Sequence, residues 1–289
     1  MKGIITKTVG GFFFVADENQ KIHKTIIRGK IQKEVYPGDK VEFYVREKFE
    51  EKVIKKIYSR DNLLYRPKVA NVDQVLVIQS FDKPPLDRKL LDRFLIAVEA
   101  AGLNPLIIIN KKDLVEDFDK SIAQDYSEAG YKVYLISIKN KQGLKKFDQE
   151  LKNKINVTAV PSGVGKTSLI NTLIPEADLE VNSVSDNLNR GVHTTRHVEL
   201  LALDDKGWIA DTPGFTSLNI DHLSPEELNF CYPEFKDYMN KCKFNMCSHT
   251  HEPGCAVKQA VENNQISTAR YDSYQMFYEE LKNKEQSYD

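Results

Sequence analysis

Short apolar runs separated by turn-forming residues fill the first sixty positions of the chain. Four runs have the length and the Val, Ile and Phe content of strands: 4–9, 12–16, 22–28 and 41–45. Gly10-Gly11 and Asp17-Glu18-Asn19 are typical of the tight turns that join strands. Closely spaced strands without a helical stretch predict a small β-barrel of the five-stranded oligonucleotide-binding (OB) type, which we assign to residues 1–62.

The pattern changes from residue 72 onward, where apolar strands alternate with segments of helical periodicity. The predicted strands are 72–78, 106–109, 132–136 and 156–160. The predicted helices are 88–101, 121–129 and 143–152. This alternation indicates an α/β domain with a parallel sheet over residues 63–220. Residues 221–289 lack strand character and predict a mainly helical domain around a group of Cys and His residues, so the expected fold is multidomain.

Composition and charge narrow the expected location and partners. The 289 residues carry a formal net charge of -1, yet residues 1–60 hold 14 Lys or Arg against 8 Asp or Glu, a local net charge of +6. Such a segment can attract a polyanion, although many charge runs are only solvated surface. No apolar run approaches the ~20 residues that a membrane helix needs, and no secretory signal is visible. We expect a cytoplasmic protein without a membrane partner.

A phosphate-binding loop is predicted between the strand 156–160 and the helical pattern that follows it. The stretch has the order Gly-x-Gly-Lys-Thr, which places backbone N–H groups and a helix N-terminus around a polyphosphate. Lys166 reaches the outer phosphates in such loops, and the Thr167 hydroxyl is a magnesium ligand. The predicted nucleotide-binding residues here are Pro161, Ser162, Gly163, Val164, Gly165, Lys166, Thr167 and Ser168.

Val160 departs from the usual loop pattern, which has glycine at this position. If the position requires positive φ, a β-branched residue there is strained by roughly 1 to 3 kcal/mol. The sequence then predicts weakened nucleotide affinity, and tighter GTP binding in a Val160→Gly variant.

A guanine-reading motif is predicted directly after the strand 106–109. The Asp113 carboxylate can accept hydrogen bonds from both N1–H and N2–H of guanine, whereas adenine offers no matching donors. Asn110 is expected to tie this loop to the phosphate loop, and the Lys111 stem to lie along the base. Lys112 completes the motif. Ser137 follows the strand 132–136, where we expect its backbone to contact the guanine oxygen.

Magnesium-contacting residues are predicted further along the chain. Asp211 follows an apolar strand and is expected to hold Mg²⁺ through water, with the Gly214 N–H near the γ-phosphate. The polar, Gly-broken stretch 190–196 is typical of a segment ordered by the γ-phosphate and magnesium. Within it, Thr195 is the first choice for the magnesium-sensing hydroxyl and Thr194 the second.

The order of these motifs is unusual, because the guanine motif precedes the phosphate loop and the magnesium motifs come last. In this order the chain resembles the circularly permuted GTPases, and specifically the ribosome small subunit-dependent GTPase family known as RsgA, YjeQ or YloQ. The resemblance covers nearly the whole chain. The residues that carry it are Arg28-Gly29-Lys30, Asp92-Arg93, the motif from Asn110, Ser162 to Thr167, His193-Thr194-Thr195 and Asp211 to Phe215.

A zinc site is predicted from Cys242, Cys247, His249 and Cys255. Three thiolates and one imidazole form a closed tetrahedral shell, which suits one structural zinc ion and leaves no open position for catalysis. The resembled family carries the same spacing. Cys231 lies outside the cluster and is expected to be a buried thiol, while His251 is a competing imidazole that breaks the family spacing.

Catalysis is expected to involve Lys166, Thr195 and His193. Phe215 follows Gly214, so the glutamine with which many GTPases orient water is absent from this position. His193 is the best candidate for that role, although an exposed loop histidine without function is almost as good an interpretation. The family pattern Arg-Gly-Arg-His reads Arg190-Gly191-Val192-His193 here, which puts a role of the missing arginine in doubt.

The resemblance implies GTP and GDP as ligands with Mg²⁺, and the small ribosomal subunit with its rRNA as the activating partner. The barrel and the zinc domain are then the RNA-facing parts, with Arg28 and Lys30 as backbone contacts, and a monomer is the default state. The alternatives are a GTP-dependent RNA-binding switch with negligible hydrolysis and, disfavoured by Asp113, a zinc-stabilised ATP-using enzyme.

Overall fold

Five N-terminal strands close into a barrel in the computed structural model, which describes residues 1–27, 29, 33–46, 51–115, 120–161, 163–179, 198–204, 207–211 and 220–286. The strands are β1 (Lys2–Val9), β2 (Phe12–Asp17), β3 (Ile22–Ile27), β4 (Lys40–Arg46) and β5 (Glu51–Ile57). Each strand has two neighbours in the order β1-β2-β3-β5-β4-β1, and only the β3–β5 pair is parallel. The predicted OB-type barrel is therefore confirmed, and its fifth strand, β5, is one that the apolar pattern does not predict.

The barrel has a small apolar interior. It is filled by Ile5, Val15, Val41, Phe43 and Ile54. Phe12, in contrast, is exposed on the outside of β2, and the ammonium group of Lys24 lies 3.8 Å from the centre of its ring. A short hairpin then leads to the central domain, formed by β6 (Leu63–Tyr65) and β7 (Lys68–Ala70).

The central domain is a twisted sheet with helices on both faces, as the alternating pattern predicts. Its strands are β8 (Gln74–Ser80), β9 (Asn104–Asn110), β10 (Lys132–Leu135), β11 (Ile155–Ala159), β12 (Glu199–Ala202) and β13 (Trp208–Asp211). They lie in the order β10-β9-β8-β11-β13-β12, and all are parallel except β12. Four helices accompany them: α1 (Arg88–Ala100), α2 (Lys120–Glu128), α3 (Leu144–Leu151) and α4 (Lys166–Leu173).

Two apolar cores cover the two faces of this sheet. Residues of α1 and α2 pack on one face, and residues of α3 and α4 pack on the other. Every residue of β8 and β11 is buried, because both strands are covered on both faces. The phosphate-loop strand β11 therefore lies at the centre of the domain.

The C-terminal part is helical, as predicted, with α5 (Lys236–Met239), α6 (Ala256–Glu262) and α7 (Thr268–Gln286). Its core includes Ile96 and Ala97, which belong to α1 of the central domain. Helix α1 is thus packed against the sheet on one side and against the C-terminal domain on the other. Within the described ranges, no helix has the length and apolar content required to cross a bilayer.

Candidate active site and metal centre

The carboxyl ends of the parallel strands meet at one edge of the central sheet. Ser80 at the end of β8 is in register with Asn110 at the end of β9, and Leu135 of β10 is in register with Ile109. Strand β11 ends at the same edge and continues into the phosphate loop. In open α/β sheets ligands bind at this edge, so the guanine motif and the phosphate loop meet where a ligand is expected.

Backbone geometry at the phosphate loop requires glycine. Gly163 and Gly165 have φ values of +82° and +101°, which L-residues with side chains rarely adopt. A Cβ atom on Gly165 would lie 2.7 Å from Nδ2 of Asn110. Helix α4 begins at Lys166, so its first-turn N–H groups and the side chains of Thr167 and Ser168 lie directly after the loop. Ser162 lies outside the described residues.

Val160 does not have the backbone strain that the loop pattern predicts. It is not among the residues with positive φ, and its side chain is buried in the apolar core on the α3 and α4 face. The strain expected for a β-branched residue arises only at positive φ. The premise of backbone strain is therefore wrong, and the expectation of tighter GTP binding in Val160→Gly has lost the strain on which it depended.

The guanine-motif residues hold the phosphate loop through hydrogen bonds. Asn110 is buried, and its Nδ2 donates to the Val164 carbonyl at 2.9 Å. The Lys111 ammonium group donates to the Gly163 carbonyl at 3.0 Å. The predicted contact between Asn110 and the phosphate loop is thus present. Lys111 itself adopts the left-handed conformation, with φ of 62°.

Ser137 and Asp113 interact through their side chains. The Ser137 hydroxyl donates to Oδ1 of Asp113 at 2.5 Å, and this hydrogen bond holds the pKa of the Asp113 carboxyl below its ordinary value. Asp113 is therefore an ionised acceptor at neutral pH. The backbone N–H of Ser137 already donates to the Gln142 carbonyl at 3.1 Å. Ser137 orients Asp113 through its hydroxyl, and the predicted backbone contact to guanine would require breaking the bond to Gln142.

The residues predicted to contact magnesium lie only partly within the described residues. Asp211 is the last residue of β13, which runs parallel to β11 and so ends at the edge that carries the phosphate loop. Glu199, at the start of β12, is in register with Asp211. His193, Thr194, Thr195, Gly214 and Phe215 lie outside the described residues, as do Arg28 and Lys30. Their assigned roles stay predictions.

The four predicted zinc ligands form a compact group. Their ligand atoms all lie within 4.8 Å of one another, with three of the four side chains buried. Nδ1 of His249 is 3.5 Å from Sγ of Cys242 and 3.3 Å from Sγ of Cys255, and these two sulfur atoms are 4.0 Å apart. A tetrahedral zinc with ordinary bond lengths separates its ligand atoms by roughly 3.5 to 3.8 Å. The donor set therefore fits a tetrahedral metal ion.

The surroundings of the cluster hold its ligands in place. The Tyr271 hydroxyl donates to the His249 carbonyl at 2.6 Å, and the Lys258 N–H donates to Sγ of Cys255 at 3.5 Å. Burial raises the pKa of the Cys247 thiol to about 12, so a bound cation would supply the charge that a thiolate needs here. Cys231 is outside the cluster; it is buried, as predicted, and its thiol donates to the Glu227 carbonyl.

Comparisons with known proteins agree with the motif order and the fold. The RsgA GTPase family model matches residues 57–221. The small ribosomal subunit biogenesis GTPase RsgA of Halalkalibacterium halodurans is 42% identical, with 97% of each chain covered, and that of Bacillus subtilis is 42% identical, with 99% of each covered.

Two solved structures are also similar to this chain. YloQ, described as a circularly permuted GTPase, has a TM-score of 0.83 at 37% identity and covers 98% of this chain and 95% of its own. YjeQ from Thermotoga maritima has a TM-score of 0.83 at 34% identity and covers 97% of this chain and 98% of its own. With a matching family model and full-length relatives above 40% identity, this chain belongs to the RsgA GTPase family.

Proposed function

We propose that this chain hydrolyses GTP to GDP and phosphate in the biogenesis of the small ribosomal subunit, and that binding to that subunit increases its turnover. The observation that carries the GTPase part is the pair of hydrogen bonds from Asn110 and Lys111 to the phosphate loop. They join the base-reading and phosphate-binding motifs at one edge of the sheet. The biogenesis part is supported by the names of the relatives from H. halodurans and B. subtilis.

Each part of the nucleotide has a proposed partner. Asp113 accepts hydrogen bonds from the guanine N1–H and N2–H. The hydrogen bond from the Ser137 hydroxyl fixes the orientation of the Asp113 carboxylate. Lys166 and the first-turn amides of α4 bind the phosphates. Thr167, Thr195 and Asp211 are the residues that would hold Mg²⁺, which neutralises charge that develops on the phosphates when it is bound.

His193 is the proposed water-orienting residue, and Thr195 the hydroxyl that responds to the γ-phosphate. An apolar residue, Phe215, occupies the position after Gly214, so hydrolysis needs another group to place the water. Slow intrinsic turnover follows if this group is correctly placed only when a partner is bound. The alternative is a GTP-dependent RNA-binding switch with negligible hydrolysis, and it now rests on Phe215 alone.

The barrel and the C-terminal domain are the proposed rRNA-binding parts. The net charge of +6 over residues 1–60 supports electrostatic attraction to RNA. The exposed ring of Phe12 beneath the Lys24 ammonium group offers a surface on which a base can stack next to a cation. Arg28 and Lys30 are proposed as further phosphate contacts.

We also propose one structural zinc ion on Cys242, Cys247, His249 and Cys255. The spacing of the ligand atoms supports this assignment, and a shell filled by four protein ligands leaves no position for substrate. The proposed domain limits are 1–62, 63–220 and 221–289. A cytoplasmic monomer is the proposed state.

The deciding experiment is GTP hydrolysis by the purified protein with and without small ribosomal subunits, with ATP as the control nucleotide. We expect slow turnover alone and GTP-specific stimulation by the subunits. GTP binding without stimulated turnover would favour the switch, and equal use of ATP would contradict the assigned role of Asp113.

Asp113→Asn provides a sharper test of the base-reading role. The asparagine oxygen can still accept from Ser137, which leaves its NH₂ group facing the guanine N–H donors. Xanthine carries an acceptor oxygen in place of the N2 amine, so it suits the amide better. We expect GTP affinity to fall by ~100-fold or more and xanthosine triphosphate to bind more tightly than GTP. Unchanged preference for GTP in nucleotide titrations would overturn the assignment.

A further inference from the structure

The barrel is joined to the central sheet at the strand that lies beside Asp211. Lys7 on β1 is in register with Glu199 on β12, and Glu199 is in register with Asp211 on β13. The Lys7 ammonium nitrogen lies 2.5 Å from Oε2 of Glu199, and the two side chains are 33% and 42% exposed. Three residues on three adjacent strands thus form one row that runs from the barrel to the end of β13.

A β-bulge in β1 makes this junction. The first half of β1, Lys2 to Ile4, pairs with β4 inside the barrel. The register with β2 then shifts between Ile5 and Lys7, and after the shift β1 pairs with β12. Bulges bend a strand and redirect its side chains. At the other end of β12, the Gln20 side-chain amide donates to the Leu203 carbonyl at 3.0 Å, so the barrel contacts both ends of β12.

Asp211 is paired with β12 at the end of β13. Within the described residues, the β11–β13 register ends at Val157 and Ala210, one residue before Asp211. The β12–β13 register includes Asp211, whose partner is Glu199. Because β12 pairs with this end of β13, the position of β12 helps to set that of Asp211. Displacement of β12 relative to β11 would therefore move Asp211 relative to the phosphate loop.

We propose that Lys7 and Glu199 are positioning residues. Their ion pair holds β12 against the barrel, and β12 in turn positions the end of β13. The position of the barrel relative to the central sheet thereby affects nucleotide turnover. The structural half is that the Lys7–Glu199 pair stabilises the pairing of β12 with β13. The catalytic half rests on the proposed function, because it requires GTP hydrolysis with Asp211 at the magnesium. The effect of one partly exposed ion pair is modest, and we expect changes of about two- to fivefold.

Hydrogen exchange of the full chain tests the structural half. In Lys7→Ala and Glu199→Ala, amide exchange in 199–202 and 208–211 should be about two- to fivefold faster than in the unaltered protein. The charge swap K7E/E199K should restore slow exchange. Lys132→Ala is the matched control, because the Lys132–Glu150 pair at 2.8 Å also joins a strand lysine to a glutamate but lies within the central domain. Unchanged exchange in both single variants would overturn the proposal.

Subunit-stimulated GTP turnover of the same variants tests the catalytic half. We expect kcat to fall about two- to fivefold in both single variants, with KM for GTP and affinity for the subunit unchanged and with recovery in the charge swap. Faster exchange with unaltered kcat would refute the coupling to turnover. Absence of turnover in the unaltered protein would instead contradict the proposed function and refute the catalytic half, while the exchange result would still decide the structural half.

Discussion

Val160 precedes the phosphate loop, and its side chain is buried in the core between the sheet and helices α3 and α4. We expect Val160→Gly to lower the free energy of unfolding by about 2 to 4 kcal/mol, through lost apolar burial and added backbone freedom. Val160→Ala should lose about half as much. Urea unfolding and GTP titration check this, and tighter GTP binding by the glycine variant would contradict it.

Glu99 gives the protein a pH-dependent stability. Burial raises the pKa of its carboxyl from 4.5 to about 7. Between these values the unfolded chain loses the proton while the folded chain keeps it, so stability falls as pH rises and the loss is complete above pH 7. We expect Glu99→Gln to stabilise the protein by about 1 to 3 kcal/mol at pH 8 and by much less at pH 5. Unfolding measured across this range checks it, with exposed Glu262→Gln as the control.

Site residues could be predicted where a motif fixes a local contact. The hydrogen bond from Asn110 to the phosphate loop followed from the motif, because both segments follow parallel strands that end at the same edge of the sheet. The role of Ser137 could not be predicted in the same way. Its N–H is taken by Gln142, five residues further along the chain, and only the folded loop leaves the hydroxyl facing Asp113.

At the scale of elements, the apolar period predicted the helices and central strands to within one or two residues. The apolar pattern does not predict four of the described strands: β5, β6, β7 and β12. Strand β5 has the sequence Glu-Lys-Val-Ile-Lys-Lys-Ile, whose charged residues obscure the alternation. Strand β12 has only four residues. Such strands are specified by their partners, since β5 forms by closing the barrel between β3 and β4.

Helices α1 and α7 are joined by a buried charge cluster. Arg270 is 1% exposed; its guanidinium group bonds Asp92 of α1 and lies 2.8 Å from Oε1 of Glu234. Three tyrosine rings surround it: Tyr126, Tyr131 and Tyr232. Burying this charge is tolerable only because both carboxylates are present.

We expect Arg270→Met to destabilise the protein by about 3 to 5 kcal/mol, because it leaves two carboxylates buried without a cation. Adding Asp92→Asn and Glu234→Gln to that variant should recover part of the loss. Arg93→Met is the control, since Arg93 pairs with Glu280 near the surface, and should cost much less. If urea unfolding showed equal losses of unfolding free energy for the Arg270 and Arg93 variants, the larger contribution assigned to the buried cluster would be wrong.

At the scale of the whole molecule, the proposed zinc site and the central domain share one core. Cys247 and Cys255 belong to the same apolar cluster as Ile96 and Ala97 of α1. Removal of the metal should therefore destabilise more than the C-terminal residues. We expect a strong chelator to release about one zinc per chain and to lower the thermal unfolding midpoint, with faster amide exchange in α1.

Cysteine variants separate the metal from general effects of thiol loss. Cys255→Ser should purify with little zinc and should unfold at lower temperature, whereas Cys231→Ala should keep its zinc because Cys231 lies outside the cluster. Metal analysis and calorimetry provide both readings. Full zinc content in the Cys255 variant would contradict the assigned ligand set.

The end of β13 is followed closely along the chain by the C-terminal domain. Eight residues separate Asp211 from Ile220, whose side chain is already buried in the C-terminal core. The strand that ends at the proposed magnesium residue Asp211 is therefore linked within about 30 Å of chain to the C-terminal domain. The guanine motif is linked instead, through α1 and β8, back toward the barrel. The order of the motifs thus gives them separate covalent routes to the two flanking domains.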